Sequence, residues 1–347
     1  MKRLLPLVLL GLFACTLPMV VGQTPTPVVT PTVVPTAPLP GAKLGTEGNP
    51  LILALPPDSQ PNPDVLNAGN TLSALLEKGT GYKIVSVIPP DETELIHAFE
   101  MKNADIGVLS PAGYLLASGQ GYVEAAFARQ QGGKIFYGAQ FIARSDAGYI
   151  AYYDPIKDQD SADASVALPQ LNNKKPCWTD ERSPSGYIVP LGFLSGNRVH
   201  TNMPAFLAGH PAVVRAVYAG GICDFGATYI DARDYPGLQD DYPDVLKKVV
   251  VIWRIPPIIP YDSLVFIHGM DGDQRRTLIR AFVDIISTAN GKAAIQTLYG
   301  FDAMQVVQDS QYEDFRKEVQ ASGLDLSTLI KLYPRLSPIN DEYAEIF

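Results

Sequence analysis

Serine, proline and glycine crowd into ERSPSGYIVP, Glu181 to Pro190, directly ahead of an apolar run. Three kinds of chemistry suit that composition. Ser185 could be a nucleophile, Ser183 could cap a helix, or the hydroxyls and backbone N–H groups of a helix start could hold an oxyanion. A nucleophilic serine needs an elbow of the glycine-x-serine-x-glycine form and a base. The segment lacks the elbow, and four histidines in the whole chain leave few bases to pair with it. Those histidines, His97, His200, His210 and His268, show no metal-ligand spacing either, so no metal and no cofactor are implied. Cap and anion cradle are compatible, because both use the exposed N–H groups of one helix start. Pro184 bears on both: its fixed φ suits the first helical position, but it has no N–H and removes one donor. Gly186 permits close backbone approach.

The elements that must position this turn follow from the apolar pattern. PLILALPP, KIVSVIPP and DIGVLSP read as short buried strands. Between them, DVLNAGNTLSALLEKGTGY sets Val65, Leu66, Leu72, Leu75 and Leu76 on one helical face and is expected to end at Gly79. DETELIHAFEMKNA is a helix with acidic residues in its first turn, where the dipole favours them. This βαβαβ order predicts an α/β fold with a mostly parallel sheet and helices on both faces. The alternation returns later. KKPCW and ICDFGATYI read as strands separated by helical SGYIVPLGFLSG and HPAVVRAVYAGG, and the last third is mainly helix, notably GDQRRTLIRAFVDIISTANG.

At 347 residues with 46% hydrophobic content, the chain can bury a sizeable core. Its net charge of −9 argues against a nucleic-acid binder, which needs a basic surface to neutralise phosphates. Any bound anion must be held by oriented local donors. The N-terminus has the form of an export signal: Lys2 and Arg3, then an apolar run from Leu4 to Ala14. LFAC resembles a bacterial lipobox with Cys15 as the lipidated residue, although Phe13 is bulky for it. Cleavage before Gln23, or an uncut anchor from Leu4 to Gly22, are the alternatives. Each places the bulk of the chain outside the cytoplasm. QTPTPVVTPTVVPTAPLPGAK is a Thr/Pro-rich tether that cannot form a packed core, and a stalk after a lipidated cysteine favours the lipoprotein reading. In an oxidising compartment, Cys177 and Cys223 either pair as a disulfide or stay buried as thiols.

The landmarks together resemble the phosphonate-type substrate-binding proteins of ABC importers, a branch of the type II periplasmic binding proteins. LLEKGTGYKIVSVIPPDETELIHAFEMKNADIGVLSPAGYLLA is similar to the family's first-lobe pattern. PSGYIVP resembles its Ser-Thr-Ser-Gly-Tyr oxyanion loop, with Pro184 as the departure. GHPAVVRAVYAGGICDFGATYIDAR resembles the following histidine, helix and strand, and VVVIWRIPPIIPYDSLVF the return crossing. The similarity runs from about Pro50 to Gly300, and the order of the motifs carries it.

The resemblance implies two α/β lobes joined by two hinge strands that close on a ligand. Lobe 1 would comprise residues 49–143 and 257–347, lobe 2 residues 144–256, after a signal peptide (1–15) and a tether (16–48). It implies a small tetrahedral oxyanion, a phosphonate, phosphite or phosphate-like species, presented without chemistry to an ABC permease by a lipid-anchored monomer. A ligand-sensing module or a secreted hydrolase using Ser185 are the alternatives. Ligand contacts would come from Ser183, Ser185, Gly186 and Tyr187. Tyr114 would add a phenol from the end of the third strand, His210 a ring donor, and Asp231 a carboxylate for a cationic or protonated part of the ligand. Asp231 could instead pair with Arg233. Tyr229 is a further wall candidate, as are Asp58 and Ser59 after the first strand.

Overall fold

The computed structural model describes residues 39, 41–58 and 62–332. The export signal, Cys15, most of the tether and Ser59 therefore lie outside the described residues. Residues 41–48, expected to end the tether, belong to the folded body. Lys83 N–H donates to Gly45 O at 2.8 Å, and Leu44 packs on the core beside Tyr82. Among the described residues, no helix is long and apolar enough to cross a membrane.

Among the described residues, thirteen strands form two main sheets and a small hairpin. The first sheet has six strands: β1 (Leu51–Ala54), β2 (Ile84–Val87), β3 (Ile106–Leu109), β4 (Val123–Gln130), β12 (Ser263–Ile267) and β13 (Ala303–Val306), in the order β13-β4-β12-β3-β1-β2. The second has five: β5 (Phe136–Arg144), β8 (Pro176–Trp178), β9 (Ala205–Phe206), β10 (Phe225–Tyr229) and β11 (Val249–Pro260), in the order β11-β5-β10-β8-β9. The hairpin is β6 (Tyr153–Asp154) with β7 (Gln159–Asp160). Both sheets are mixed. β1 runs parallel to β2 and β3, and β8 runs parallel to β9 and β10, as βαβ connections require. The strands beside the sheet-to-sheet crossings run antiparallel to their neighbours, because the chain there enters or leaves the sheet without a crossover helix.

The crossings lie where β4 leads into β5 and where β11 leads into β12. Ala143 and Pro257, the lobe limits read from the sequence, fall inside β5 and β11, which pair with each other along the second sheet. The two crossings are bound together: Arg129 N–H donates to Asp262 O at 2.9 Å, and the Tyr137 and Tyr261 rings stack 5.0 Å apart.

Each sheet is covered on both faces. In the first, Leu51, Leu53, Phe127, Leu264 and Phe266 meet helices Pro63–Thr80, Gly272–Ile286 and Ala289–Tyr299. Residues of opposite parity, among them Ala54, Leu109 and Val265, face Glu92–Glu100 and Pro111–Gly119. The second sheet carries His210–Ala219 on one face. On the other lie Val189–Gly196 and, packed on that helix, Glu313–Ser322, which comes from the far end of the chain. A Cβ on Gly192 would stand 2.0 Å from Glu318 O, so the two helices meet at a contact only glycine allows.

Two helix limits differ from the sequence reading. The first helix passes Gly79 and ends at Thr80, with Gly81 at φ +74° closing it through an N–H donated to Glu77 O. Gly79 simply continues the helix, because the left-handed residue alone supplies the stop. GDQRRTLIRAFVDIISTANG is broken after Ile286: Thr288 caps a new helix by accepting from Gly291 N–H at 3.1 Å. Cys177 on β8 and Cys223, just ahead of β10, form a disulfide with Cα atoms 5.6 Å apart.

Candidate functional site

Strand polarity selects one edge of each sheet. β8 and β10 end at Trp178 and Tyr229, on the side where β5 begins and β11 finishes. β1, β2 and β3 end where β12 begins and β4 finishes. Both sheets thus present their carboxyl-terminal edges beside the crossings, the place where open α/β sheets bind ligands.

On the second sheet that edge holds the serine turn. Ser183 precedes a widened, π-type turn over Pro184–Ile188 and caps it, its Oγ accepting from Gly186 N–H at 3.0 Å. Tyr187 N–H and Ile188 N–H both donate to Ser183 O, at 3.1 and 3.0 Å. Pro184 has no N–H, and three of the turn's amide donors end on Ser183 itself. Ser185 is fully buried and Ser183 nearly so. Tyr187 is half-buried, with its ring edge-on to Phe206 and tilted against Trp178.

Thr179, the first residue beyond β8, is part of the same cluster. Its N–H donates to Gly186 O at 3.3 Å, and a Cβ on Gly186 would lie 2.0 Å from Thr179 Oγ1. Thr179 is 1% exposed, and its Oγ1 has no hydrogen-bond partner. Gln140 Oε1, on β5, is likewise buried without a partner, while its Nε2 donates to Thr228 Oγ1 at 3.3 Å. Nothing in the local sequence around Thr179 signals its contact with Gly186.

His210 begins the helix on the opposite face and is buried. Its Nδ1 accepts from Tyr229 N–H at 3.2 Å, and its ring lies 4.6 Å from that of Tyr229, edge-on. Burial pushes its pKa down to about 3, so the ring is neutral and a weak proton acceptor at ordinary pH. Asp231 sits two residues past β10 at φ +66°, a left-handed position that aspartate tolerates. Its partner is Arg254 of β11, whose Nη2 donates to Asp231 Oδ1 at 2.8 Å, rather than Arg233. Arg254 Nη1 also donates to Asp158 at 2.6 Å, and its guanidinium covers the Tyr153 ring. Arg233 turns the other way and donates to Val249 O. The sequence does carry a signal for Arg254, a lone cation in the apolar run VVVIWRIPP.

The first sheet's edge is built differently. Ser110 caps helix Pro111–Gly119 by accepting from Gly113 N–H at 3.1 Å, and Glu92 closes over that helix start. Ser110 N–H donates to Glu92 Oε1 at 2.7 Å and Ser110 Oγ–H to Oε2 at 3.0 Å. This helix N-terminus is thus already matched by an internal carboxylate. Tyr114, expected to offer its phenol to an anion, donates it to Asp309 Oδ1 at 2.5 Å and is fully buried. The serine turn, Thr179, His210, Tyr229 and Asp231 come together at one edge, whereas Tyr114 belongs to a separate polar cluster. Among the described residues, no three of His, Cys, Asp and Glu gather as a metal-holding group.

The family model described as "ABC transporter, phosphonate, periplasmic substrate-binding protein" matches residues 57–312. The phosphate-import protein PhnD of Mycolicibacterium smegmatis is 27% identical over 219 residues, 58% of this chain and 63% of that protein. The chain thus spans less than two thirds of that relative's length. Among solved structures, XAC2383 from Xanthomonas citri bound to ATP superposes with a TM-score of 0.55 at 14% identity, covering 79% of this chain and 98% of the other. PhnD1 from Prochlorococcus marinus in complex with methylphosphonate gives 0.47 at 17% identity, covering 78% and 97%. At such identity the likeness to XAC2383 shows the fold.

Proposed function

Because the chain belongs to the periplasmic substrate-binding proteins of phosphonate ABC transporters, we propose that it captures a small tetrahedral oxyanion at the Ser183–Gly186 turn and presents it to a permease. Family membership implies a transport role and a place outside the cytoplasm. The observation that carries the proposed ligand class is the hydroxyl-lined turn: Ser183 and Ser185, buried at a helix start, with the Thr179 side chain seated against Gly186 where a larger residue would exclude it. No unpaired cation is needed. His210 is neutral and Asp231 is paired with Arg254, so hydroxyl and helix dipoles do the holding. Asp231 keeps a second oxygen for a cationic or protonated part of the ligand. In this reading the crossings beside Tyr137 and Tyr261 are the hinge, Cys15 carries the lipid anchor, and the binding unit is a monomer.

The test is calorimetry and thermal shift on the full chain with methylphosphonate, 2-aminoethylphosphonate, phosphite and phosphate, with sulfate as a control. A ligand at a hundred times its Kd stabilises the native state by about 2.7 kcal/mol. Ser185→Ala should weaken the best ligand by about tenfold or more, since hydrogen bonds to charged groups are the strong ones. Absence of heat and shift with the four phosphorus oxyanions would overturn the reading.

A further inference from the structure

We propose that the Thr179 hydroxyl is a ligand-binding donor that takes over the place of the amide removed by Pro184. The inference rests on the oxyanion reading above and adds a residue to it. Three observations meet at this side chain. Its backbone N–H is tied to Gly186 O, which holds it against the serine turn. Its Oγ1 lies where a Gly186 side chain would be, so the missing side chain at Gly186 is what lets this hydroxyl sit against the turn. It is buried with no partner in the protein.

A buried hydroxyl without a partner carries a standing desolvation cost, which a ligand oxygen accepting from it removes. The turn needs such a donor. Pro184 has no N–H, and the Gly186, Tyr187 and Ile188 amides all donate to Ser183. With these three amides drawn inward, a side-chain hydroxyl from the adjacent strand end adds a donor to the turn. Discrimination follows, because a ligand with no oxygen at that position leaves the hydroxyl unpaired and gains nothing from it.

The opposite effects on affinity and stability make the assignment testable. Full-length wild type, Thr179→Val and Thr179→Ser are compared by calorimetry with methylphosphonate, phosphite and inorganic phosphate, and by thermal melting without ligand. Valine keeps the shape and removes the hydroxyl; affinity for the best ligand should fall about tenfold or more. The ligand-free Tm should stay level or rise, since an unpaired buried polar group has gone. Serine should bind within about threefold of wild type, as the hydroxyl is kept. If wild type binds and Thr179→Val binds equally well, the Thr179 assignment falls while the oxyanion reading stands. A lower ligand-free Tm for the valine variant marks a structural hydroxyl and also overturns the assignment. If wild type binds none of the three, the oxyanion reading fails and the assignment with it.

Discussion

Tyr114 and Asp309 meet across 195 positions of chain, the phenol donating to the carboxylate at 2.5 Å. Arg316 donates to the same oxygen at 2.7 Å, and the Tyr114 ring lies 4.5 Å from that of Tyr312, whose hydroxyl is bonded to Ser263. Arg316 belongs to Glu313–Ser322, the helix that packs on Val189–Gly196 of the second sheet. The pair therefore joins a helix of the first sheet to a segment seated on the second, independently of the two crossings. Burial, reinforced by Asp309, raises the phenol's pKa, so it stays a proton donor throughout the working pH range.

Tyr114→Phe should lower unfolding stability by about 1.5–3 kcal/mol, the range for a hydrogen bond to a charged group. Ligand affinity should change less than about twofold, because this hydroxyl is committed to Asp309. Urea melts and calorimetry on the same variant separate the two effects. Unchanged stability with lost affinity would return Tyr114 to the ligand.

Gly186→Ala should disrupt the turn. The new methyl carbon would lie 2.0 Å from Thr179 Oγ1 and 2.7 Å from its Cγ2, so the backbone must move. Overpacking of this kind costs about 1–3 kcal/mol and should abolish measurable binding. Thr179→Gly removes the obstructing atoms, so Gly186→Ala made in that background should cost clearly less. A double-mutant cycle of melting curves with no coupling would show that the two residues do not meet as described.

The disulfide should stabilise the second sheet without touching the turn directly. Its partners are 46 residues apart, for which the chain-entropy account gives about 4 kcal/mol. Reductant, or Cys177→Ser with Cys223→Ser, should lower the Tm by several degrees for a chain of this size. Ligand binding below that Tm should persist. A Tm indifferent to reductant would mean that the two thiols are not bonded in the folded protein.

Two buried groups should give stability opposing dependences on pH. Burial lifts Asp105 to about 6, against the hydrogen bond it accepts from Ile52 N–H. The fold favours its neutral form, so this contribution is full below the ordinary 3.8 and is lost as pH rises through about 6. His210, lowered from 6.5 to about 3, contributes fully above 6.5 and loses its contribution as pH falls toward 3. Asp105→Asn, which can still accept from Ile52, should therefore stabilise the protein at pH ~7 by about 1–3 kcal/mol and change little at pH ~4. His210→Asn, which can still accept from Tyr229, should flatten the loss of stability below pH ~6. Denaturant melts across that range check both signs.

The serine turn was legible because its causes are local. Ser183, Pro184 and Gly186 lie within one turn, and a hydroxyl cap with proline first reads the same in sequence and structure. The alternating strands and helices were legible for the same reason, since apolar period reflects which face each segment buries. The stop at Gly81 instead of Gly79 was a choice between two glycines that composition alone does not rank. What only the tertiary structure decided is the pairing of polar groups: Asp231 with Arg254 and not Arg233, Tyr114 with Asp309, Thr179 against Gly186 with its hydroxyl unpaired. Hydrogen-bonding capacity is a property of each residue. The partner that fills it depends on which strand ends and helix starts the fold brings within about 3 Å, a matter of long-range packing.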